Sequence, residues 1–448
     1  MTGLMLNFAY AAGLGVTSPL WLYRLVRHGR YRSGWRQRLG NAPIRYGLQP
    51  AIWIHGVSLG EINAAKTLVN ELHSQLPDYR VVVSSTTDTG MAAATRLFAA
   101  DHKVFHWPLD FTFAVKRALD HVRPELVILM EGELWPNFLE TCRRRGIHVA
   151  VVNARLSPTK GYPRYRRVAP LVRRLLFSKL SAVGVQDETY AQRFAELGVP
   201  SERLHVTGML KYDSAHIGDD VPHKDALASA MGIRQDCQLL VAGGTGEGEE
   251  SIVLNAWADA ARRHPSLRLC IVPRKPERFE EVARLIKSAG HELVRRSDHP
   301  DGAAPASSQS AVLLGDTMGE LRKFYALASS IFVGRSLVNE GGSDMIEAAA
   351  VGKPTCFGPH TFNFPQADEL AANGCRRLVD GADLAKCICE WLNDPAAAQA
   401  EGQKARRFIE NKQGATRRNV EMICRLLGRT PAAAPGAIAT EAIKQQVV

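Results

Sequence analysis

The sequence contains few cysteines for its length, and they are scattered along the chain. Eight cysteines occur among 448 residues, and only Cys387 and Cys389 lie close together. Their spacing is wrong for a zinc knuckle, and the chain has no second cysteine pair that would complete one. We therefore predict that all eight are reduced thiols in a cytosolic protein body.

The sequence also lacks a Gly-x-Gly-x-x-Gly motif after its first predicted strand, so a dinucleotide-binding Rossmann motif is not supported. Short apolar runs nevertheless alternate with helical stretches in both halves of the chain, which predicts an α/β fold of two doubly wound parallel sheets. The predicted strands of the first half are Ile52–Ile54, Arg80–Ser84, Val104–His106, Leu126–Met130, Val149–Val152 and Ala182–Val185. Those of the second half are Leu239–Ala242, Leu267–Val272, Glu292–Arg295, Ala311–Leu314, Ser330–Val333 and Thr355–Phe357.

A chain of 448 residues exceeds one usual hydrophobic core, which favours two domains. We predict an N-terminal domain at residues 39–215 and a C-terminal domain at residues 216–428. The boundary lies in a polar, poorly periodic run that ends near Lys224 and resembles an interdomain linker. Residues 429–448 are rich in Ala, Pro and Thr, and we predict a disordered tail there.

Charged residues are absent from Leu4 to Tyr23, a run of twenty positions, which is about the length of a membrane-spanning helix. Polar residues dilute the run, and a basic cluster follows it at once. The cluster contains Arg24, Arg27, Arg30, Arg32, Arg36 and Arg38. An apolar run, two aromatics at Trp21 and Tyr23, and then arginines predict that residues 1–38 form a membrane anchor with a basic juxtamembrane segment. This anchor either spans the membrane or lies at its surface; the alternative is an amphipathic helix packed on the domain.

Acidic residues are absent from Thr141 to Gln186, whereas eleven basic residues lie in the same segment. Together with the net charge of +11, this asymmetry indicates that the protein binds phosphates or an anionic membrane. Nucleic acid is the competing interpretation, but few aromatics lie at stacking intervals here. A solvated basic face is the alternative without a ligand.

Carboxylates follow two of the predicted strands in the first half. Glu61 opens the helical pattern after the first strand, and Glu131 and Glu133 follow the fourth. Doubly wound domains bind ligands at the carboxyl ends of their strands, so these side chains are candidate catalytic groups. By its position alone, Glu61 would equally serve to complement the helix dipole. The hydroxyl-rich segment Ser84–Gly90 likewise either meets an anionic or sugar ligand or caps the helix that follows.

Three stretches of the second half follow predicted strands, and together they indicate a nucleotide-sugar site. They are Pro273–Phe279, with two adjacent cations, Gly315–Leu321, and Asn339–Glu347. In the last of these, Gly341 and Gly342 would let the backbone approach a ligand, and the helix N-terminus offers N–H donors to a phosphate. Glu347, about one turn into that helix, is placed to accept hydrogen bonds from a ribose diol.

Seven segments resemble, in order, the motifs of the 3-deoxy-D-manno-octulosonic acid (Kdo) transferases of lipopolysaccharide assembly, and the resemblance extends from Leu22 to Arg425. The segments are His55–Glu61, Glu131–Asn137, Thr207–Asp213, Pro273–Phe279, Gly315–Leu321, Gly341–Glu347 and Gly358–Phe364. The resemblance implies a GT-B architecture, in which two Rossmann-like domains face across a cleft. The N-terminal domain would bind the acceptor and the C-terminal domain the nucleotide sugar.

The resemblance also implies the reaction. Kdo would move from CMP-Kdo to lipid IVA, a phosphorylated lipid A precursor, with inversion of the anomeric centre. The reaction would need no metal and no other cofactor, and it would occur at the cytoplasmic face of the inner membrane, with no nucleic acid as partner. Inversion by a single displacement requires one base for the acceptor hydroxyl, a role that a carboxylate can perform.

The matched motifs imply the roles of the site residues. Glu61 would be the catalytic proton acceptor, and Glu133 and Lys211 would stabilise the transition state. The residues implied or predicted to hold the CMP donor are Pro273, Arg274, Met318, Gly319, Glu320, Gly341, Gly342, Asp344, Met345, Ile346 and Glu347. The basic residues between Thr141 and Gln186 would suit the acceptor phosphates, through Arg155, Lys160, Arg164 and Arg166.

Two segments depart from the family pattern. Ser343-Asp344-Met345 stands where the family usually has His-Asn-Pro, and Gly334-Arg335-Ser336 stands where it has Gly-Gly-Ser. Asp344 would place an acid near the nucleotide, and Arg335 is a candidate to compensate it. The departure leaves open a GT-B transferase that uses another nucleotide-activated sugar. A sugar-nucleotide epimerase and a non-catalytic membrane-bound binding protein are further alternatives.

Overall fold

The computed structural model describes residues 2–28, 33–45, 47–159, 161–234, 236–300 and 311–431. Lys160, residues 301–310 and residues 432–448 of the predicted tail lie outside the described residues. The chain divides into two compact units, residues 1–214 with 413–448 and residues 215–412.

The first unit contains a seven-stranded, wholly parallel sheet in its described residues. Its strands are β1 (Ala51–Gly56), β2 (Arg80–Ser85), β3 (Lys103–His106), β4 (Pro124–Met130), β5 (His148–Ala154), β6 (Ala182–Val185) and β7 (Leu204–Val206). Its helices up to the unit boundary are α1 (Thr2–His28), α2 (Trp35–Arg38), α3 (Leu59–Gln75), α4 (Asp88–Phe98), α5 (Thr112–Val122), α6 (Pro136–Arg144), α7 (Gly161–Arg166), α8 (Ala169–Leu175), α9 (Glu188–Glu196) and α10 (Leu210–Asp213). The strand order is β3-β2-β1-β4-β5-β6-β7. The six strands predicted for this half are confirmed, and β7 was missed.

Alternation along β1 explains the two core layers of this unit. Trp53 packs on one face of the sheet with Phe105 and Phe138, and Ile52 and Ile54 pack in the cluster on the other face. Successive strand residues point to opposite faces, so a strand covered on both faces is apolar throughout. This is why an uninterrupted apolar run marked β1 in the sequence.

The second unit has its own seven-stranded parallel sheet in the described residues. Its strands are β8 (Gln238–Thr245), β9 (Leu267–Pro273), β10 (Leu293–Arg295), β11 (Val312–Leu314), β12 (Ser330–Val333), β13 (Thr355–Phe357) and β14 (Arg376–Arg377). Its helices are α11 (Lys224–Ala230), α12 (Glu249–Ala261), α13 (Phe279–Ser288), α14 (Leu321–Leu327), α15 (Met345–Ala350), α16 (Ala367–Ala372), α17 (Gly381–Asn393) and α18 (Pro395–Lys412). The strand order is β10-β11-β9-β8-β12-β13-β14. The α/β prediction of two doubly wound sheets is confirmed, with β14 missed.

The last helix, α19 (Ala415–Leu426), belongs to the first unit. Val420 and Ile423 lie in the same buried cluster as Ile54 of β1, and Asp213 accepts hydrogen bonds from the backbone N–H groups at the start of the helix. The prediction that the C-terminal domain continues to residue 428 is therefore wrong, because the apolar face of α19 is buried against the first sheet.

Helix α1 is polar on the side that packs on the first unit and apolar on the opposite side. Asn7 and Tyr10 hydrogen-bond to residues near α5 and α6. Leu4 and Phe8 are 78% and 77% exposed. In the part of the chain that the structure describes, no helix combines the length and the apolar character needed to cross a bilayer. Two residues of the basic cluster, Arg30 and Arg32, lie outside the described residues. The side chains of Arg24 and Arg27, and of the predicted interfacial residue Trp21, are not described either.

Arg38, which was assigned to the basic juxtamembrane segment, is buried in the first unit. Its guanidinium donates a 2.9 Å hydrogen bond to the carbonyl of Thr86, and its Nη2 lies 3.2 Å from Nδ1 of His106. The prediction for this residue is therefore wrong: Arg38 is a structural residue that ties α2 to the loop after β2 and to β3.

Candidate active site

Each sheet has a reversal of strand order beside its first strand, between β1 and β4 in the first unit and between β8 and β12 in the second. Open parallel sheets bind ligands beside such a reversal, outside the carboxyl ends of the strands. In the first unit, Glu61 follows β1, and Glu131 and Glu133 follow β4. The predicted catalytic carboxylates therefore lie at the place where the topology opens a crevice.

Glu61 stands at the third position of α3, and its carboxylate is held by the turn before the helix. Ser58 caps the helix by accepting a 3.3 Å hydrogen bond from the Glu61 N–H. In return, Glu61 Oε1 accepts from the Ser58 hydroxyl at 3.0 Å, and Oε2 accepts from the Val57 N–H at 2.9 Å. This reciprocal arrangement is a capping box, so the structural role considered for Glu61 is present.

The pKa of the same carboxyl group is shifted toward neutrality. Burial raises the pKa of Glu61 to about 7; the Val57 N–H and the Ser58 hydroxyl oppose the shift, and the charges of Glu131 and Glu133 add to it. A base whose pKa lies near the working pH is well suited to general-base catalysis. Glu61 therefore caps the helix, and its pKa lies in the range that its predicted role as the base requires.

The loop after β4 is held in an unusual backbone conformation. Glu131 has a φ of 58° and Gly132 a φ of 110°. The Glu131 carboxylate accepts from Arg155 Nε at 2.8 Å and from Asn153 Nδ2 at 3.3 Å. Glu133 is exposed, and partial desolvation by the surrounding protein raises its pKa. Arg155, predicted to bind the acceptor, is thus engaged in an ion pair with the loop that carries Glu133.

Asn153, at the end of β5, connects this loop to α10, and the sequence analysis missed it. The residue is 4% exposed and has a φ of 55°. Its Nδ2 donates to Glu131, and its Oδ1 accepts from the Leu210 N–H at 3.1 Å. Lys211 follows Leu210 directly, so one buried amide helps to place both segments to which transition-state roles were assigned. An asparagine at the end of a buried strand was the signal available in the sequence.

The predicted anion-binding segment is only partly available to a ligand. Glu140 pairs with the cluster residues Arg143, Arg144 and Lys179, at N–O distances of 2.7–3.2 Å. Arg164 and Arg166, on α7, are exposed. Lys160 lies outside the described residues. Arg155 is also exposed, but its side chain is paired with Glu131.

The hydroxyl-rich segment after β2 serves local structure. The Thr87 hydroxyl caps α4 by accepting from the Gly90 N–H at 3.1 Å, and it lies 2.6 Å from the Val57 carbonyl, to which it donates. The buried His55 stacks on Trp107, and burial lowers its pKa to about 3, so it is neutral. Capping, one of the two interpretations considered for Ser84–Gly90, is confirmed.

In the second unit, a buried carboxylate organises the loop after β12. Glu249, fully buried at the start of α12, accepts from the backbone N–H groups of Gly246, Arg335, Ser336 and Leu337. Four N–H donors on one carboxylate satisfy a charge that burial would otherwise penalise. Glu249 thereby joins the loop after β8 to the loop after β12, on both sides of the strand-order reversal.

A second buried carboxylate organises the loop after β9. Glu250 is fully buried and pairs with both terminal nitrogens of Arg278, at 2.5 and 3.1 Å. The N–H of Arg274 donates to the Thr245 carbonyl at 3.1 Å, whereas the Arg274 side chain is exposed. Of these two arginines, Arg278 is structural and Arg274 is available to a ligand. Pro273, also predicted to bind the donor, is the buried end of β9.

In the segment Gly315–Leu321, the backbone is available to a ligand, whereas the Glu320 carboxylate is bound by other residues. Glu320 accepts from Thr317 at 2.6 Å, Arg296 at 2.9 Å and Lys323 at 3.1 Å. Desolvation opposes these hydrogen bonds, but their combined effect lowers the pKa of Glu320. Met318 is 65% exposed, and Gly319 has a φ of 86°. The side chain of Glu320 is therefore engaged by the protein, whereas Met318 faces solvent.

The two glycines before α15 lie close to other parts of the protein. A Cβ on Gly341 would lie 2.1 Å from Nδ2 of Asn363, and one on Gly342 would lie 3.1 Å from the Met345 methyl group. Both glycines have φ values near +85°, which other residues rarely adopt. Side chains of the Gly358–Phe364 motif pack where these Cβ atoms would lie, and the approach of a ligand to the backbone of the two glycines stays a prediction. Met345 and Ile346 are buried.

Asp344 is the N-cap of α15, and its Oδ1 accepts from the Ile346 N–H at 3.1 Å. Arg335, considered as its compensating cation, forms an ion pair with Glu340 at 2.8 Å. Tyr325 is buried, and its hydroxyl has no hydrogen-bond partner among the described residues. Burial raises the Tyr325 pKa, and the charges of Glu347, Asp344 and Arg274 also act on it. Three of the predicted donor residues thus act electrostatically on one buried phenol.

Comparison with known proteins agrees with this geometry. Residues 33–214 match the sequence profile of the family described as 3-Deoxy-D-manno-octulosonic-acid transferase (kdotransferase). The chain is 32% identical over 434 residues to the 3-deoxy-D-manno-octulosonic acid transferase of Haemophilus influenzae, covering 94% of this chain and 98% of that protein. It is 34% identical over 439 residues to the transferase of the same name from Bordetella pertussis, covering 93% and 97%.

Solved structures extend the likeness to the fold. A UDP-GlcNAc 2-epimerase from Neisseria meningitidis matches with a TM-score of 0.56 at 14% identity, covering 84% of this chain and 100% of that one. A glycosyltransferase from Rickettsia africae matches with a TM-score of 0.56 at 12% identity, covering 86% and 100%. These low identities concern the fold alone, whereas the similarity to the transferases spans nearly the whole sequence. The chain is therefore a glycosyltransferase of α/β GT-B type and belongs to the 3-deoxy-D-manno-octulosonic acid transferase family.

Proposed function

We propose that this protein transfers Kdo from CMP-Kdo to a phosphorylated lipid A precursor, lipid IVA, with inversion and without a metal or other cofactor. One observation carries the proposal: Glu61, the residue matched to the family's base, has a pKa of about 7 and lies at the carboxyl end of β1. A carboxylate with that pKa is suited to accept a proton from a sugar hydroxyl as the hydroxyl becomes a nucleophile.

The proposed step is a single displacement. The acceptor hydroxyl oxygen forms a bond to the anomeric carbon of Kdo as the bond from that carbon to the CMP phosphate oxygen breaks. The hydroxyl proton goes to Glu61, and the bonding electron pair leaves with CMP. Glu133 and Lys211, by their match to the family motifs, would stabilise the charge that develops in the transition state.

The donor would be held by the second unit. Arg274, exposed on the loop after β9, offers a cation to the phosphate of CMP or to the carboxylate of Kdo. The carboxylate of Glu347 is suited to the ribose hydroxyls. Phosphate contacts of this type stabilise the leaving group by charge and hydrogen bonding, which is why the proposal requires no metal.

The acceptor side supports a location at the cytoplasmic face of the inner membrane. The exposed apolar face of α1, formed by Leu4, Met5, Phe8 and Val16, suits the acyl region of a bilayer. The exposed arginines Arg164 and Arg166 suit the phosphates of the lipid or of its neighbours.

The test is a mass spectrum of the products formed from CMP-Kdo and lipid IVA, with and without EDTA. We expect the acceptor mass to increase by one or more Kdo units and CMP to be released in equal amount, in both samples. Proton NMR of the new linkage should show the inverted configuration. Absence of an acceptor product under both conditions would disprove the proposal.

A second candidate is a GT-B transferase that uses another nucleotide-activated sugar. The Ser343-Asp344-Met345 segment favours it, because an acid caps the helix where the family usually has an amide. The same assay with UDP-sugars in place of CMP-Kdo separates the two. Transfer from a UDP-sugar, without transfer from CMP-Kdo, would support this candidate. A product formed without any acceptor lipid would instead indicate an epimerase.

A further inference from the structure

Helix α1 uses its polar face to hold the start of α6. The residues of this face, Gly3, Asn7 and Tyr10, lie three or four positions apart, a spacing that places them on one side of a helix. Asn7 Oδ1 accepts from the Thr112 N–H at 3.1 Å and from Asn137 Nδ2 at 3.1 Å. A Cβ on Gly3 would lie 3.6 Å from Oδ1 of Asn137, so α1 lies close against this residue.

Tyr10 acts on α6 through a buried aspartate. The Tyr10 hydroxyl donates to Asp110 Oδ2 at 2.9 Å. Asp110 in turn accepts from the Asn137 N–H at 3.0 Å and the Phe138 N–H at 2.8 Å. Trp135, the residue at the N-cap position of α6, makes no side-chain capping bond. Asp110 therefore serves as the cap of α6 from a distant part of the chain.

The position of this cap gives it a consequence for the site. Helix α6 begins at Pro136, and Glu133 lies three residues before it on the turn after β4. The end of β4 fixes one side of that turn, and the capped start of α6 fixes the other. A helix start that frays would release the Glu133 end of the turn, while Glu131 stays held by Asn153 and Arg155.

We propose that Asn7 and Tyr10 are positioning residues for the Glu133 segment, so that the N-terminal helix is a working part of the active site as well as a membrane contact. The chain from Tyr10 through Asp110 to the N–H groups of Asn137 and Phe138 carries the effect. Docking of α1 on the domain would then order the turn that bears Glu133. The catalytic consequence rests on the proposed function; the ordering of the turn does not.

The first test measures the turn without any substrate. Hydrogen exchange of the full-length protein is followed in peptides that cover residues 131–140, in the wild type and in the variants Tyr10→Phe and Asn7→Ala. Tyr10→Phe keeps the ring that contacts Phe111 and removes only the hydroxyl. We expect faster exchange in both variants and no change in Thr17→Ala, whose hydroxyl bonds only within α1 to Gly13. Unchanged exchange in Tyr10→Phe and Asn7→Ala would overturn the proposal.

The second test measures transfer from CMP-Kdo to lipid IVA dispersed in detergent, so that recruitment to a bilayer does not limit the rate. We expect kcat to fall about 10- to 100-fold in Tyr10→Phe and Asn7→Ala, with the KM for CMP-Kdo within about twofold of the wild type, while Thr17→Ala keeps wild-type values. A raised donor KM with unchanged kcat would overturn the positioning role. If the wild type itself makes no product, the proposed function fails, and the exchange experiment still decides whether α1 orders the turn.

Discussion

Ser58 and Glu61 hydrogen-bond each other twice at the start of α3, each side chain accepting from a donor of the other residue. The contacts that cap the helix also hold the Glu61 carboxylate at the crevice. Each of its oxygens accepts one hydrogen bond from protein, and a carboxylate oxygen can accept two. Among the described residues, one lone pair on each oxygen thus remains without a donor, so capping would leave the proposed contact with an acceptor hydroxyl possible.

Replacement of Glu61 by Gln should abolish the base and preserve the cap. Glutamine also serves at this position of a capping box, but it cannot take the proton from the acceptor. We expect kcat to fall by roughly two to four orders of magnitude, with the Kd for CMP unchanged. Steady-state kinetics and calorimetric titration with CMP would measure the two quantities. The matched control is Glu71→Gln in the last turn of α3, and near-normal turnover in Glu61→Gln would refute the assignment.

The same variant should alter the dependence of stability on pH. The pKa of Glu61 rises from 4.5 to about 7 on folding, so between these values the folded protein holds a proton that the unfolded chain releases. The stability from this group is therefore full below pH 4.5 and is lost as the pH rises through 7. Glutamine does not ionise, so Glu61→Gln should be more stable than the wild type by about 1–2 kcal/mol at pH 8.5, after allowance for solvent screening.

Denaturant unfolding of both proteins at pH 4.5 and pH 8.5 would measure this difference. We expect the two free energies of unfolding to agree at the lower pH and to diverge at the higher. If Glu61→Gln were less stable than the wild type at both pH values, the carboxylate would act only as a helix cap, and the raised pKa assigned to Glu61 would be wrong.

Replacement of Asn153 should cost stability through two separable terms. Asn153→Ala leaves the buried Leu210 N–H without its acceptor, at a cost of about 1–3 kcal/mol. Alanine also tolerates the left-handed backbone conformation of this position less well than asparagine does, at a further cost of up to about 1 kcal/mol. Asn153→Gly also loses the hydrogen bond to the Leu210 N–H, but glycine adopts the left-handed conformation without the second cost. We expect stability in the order wild type, glycine, alanine, with kcat reduced in both variants; equal stability of all three would show that the amide holds neither segment.

The sequence predicted the strands well and the contacts between them poorly, for a physical reason. A strand buried on both faces must be apolar along its length, so β1 and β4 were visible as apolar runs. The missed strands are short and carry polar residues, such as His205 in β7 and Arg376 in β14. The helical pattern of α19 likewise predicts that one face of the helix is buried. It does not indicate which of the two sheets covers that face.

The candidate site shows the same limit at the level of single residues. Glu61 was identified because it follows the first predicted strand and because the segment His55–Glu61 matches a motif of the family. The partners of Asn153 and Glu249 lie up to 57 and 88 residues away, and neither residue stands in a motif. Only the fold brings those partners together, so the position of Asn153 at the end of a strand could mark the residue but could not reveal its partners.

Arg274 and Arg278 should separate ligand binding from stability although they lie on the same loop. Arg278→Ala leaves the buried Glu250 carboxylate without its cation, which should cost about 3–5 kcal/mol of unfolding free energy. Arg274→Ala removes an exposed side chain, so stability should change by less than about 0.5 kcal/mol. The Kd for CMP-Kdo should rise roughly 10- to 100-fold in Arg274→Ala. Titration calorimetry and denaturant unfolding check both variants, and unchanged donor affinity in Arg274→Ala would remove its assigned role.

Replacement of Asp344 by Asn should strengthen donor binding at no cost in stability. Asparagine caps a helix about as well as aspartate, so the hydrogen bond to the Ile346 N–H is retained and α15 should be unaffected. The substitution removes one negative charge from the segment matched to the CMP-binding motif, where the donor would bring a phosphate and a carboxylate. We expect the Kd for CMP-Kdo to fall about two- to fivefold, with a smaller gain in 0.5 M salt because screening weakens the repulsion. Asp380→Asn is the matched control, because the Asp380 side chain also caps a helix, α17, by accepting from the Asp383 N–H. Weaker donor binding in Asp344→Asn would mean that the carboxylate accepts hydrogen bonds from the donor, so that the departure from the family pattern would be part of donor recognition.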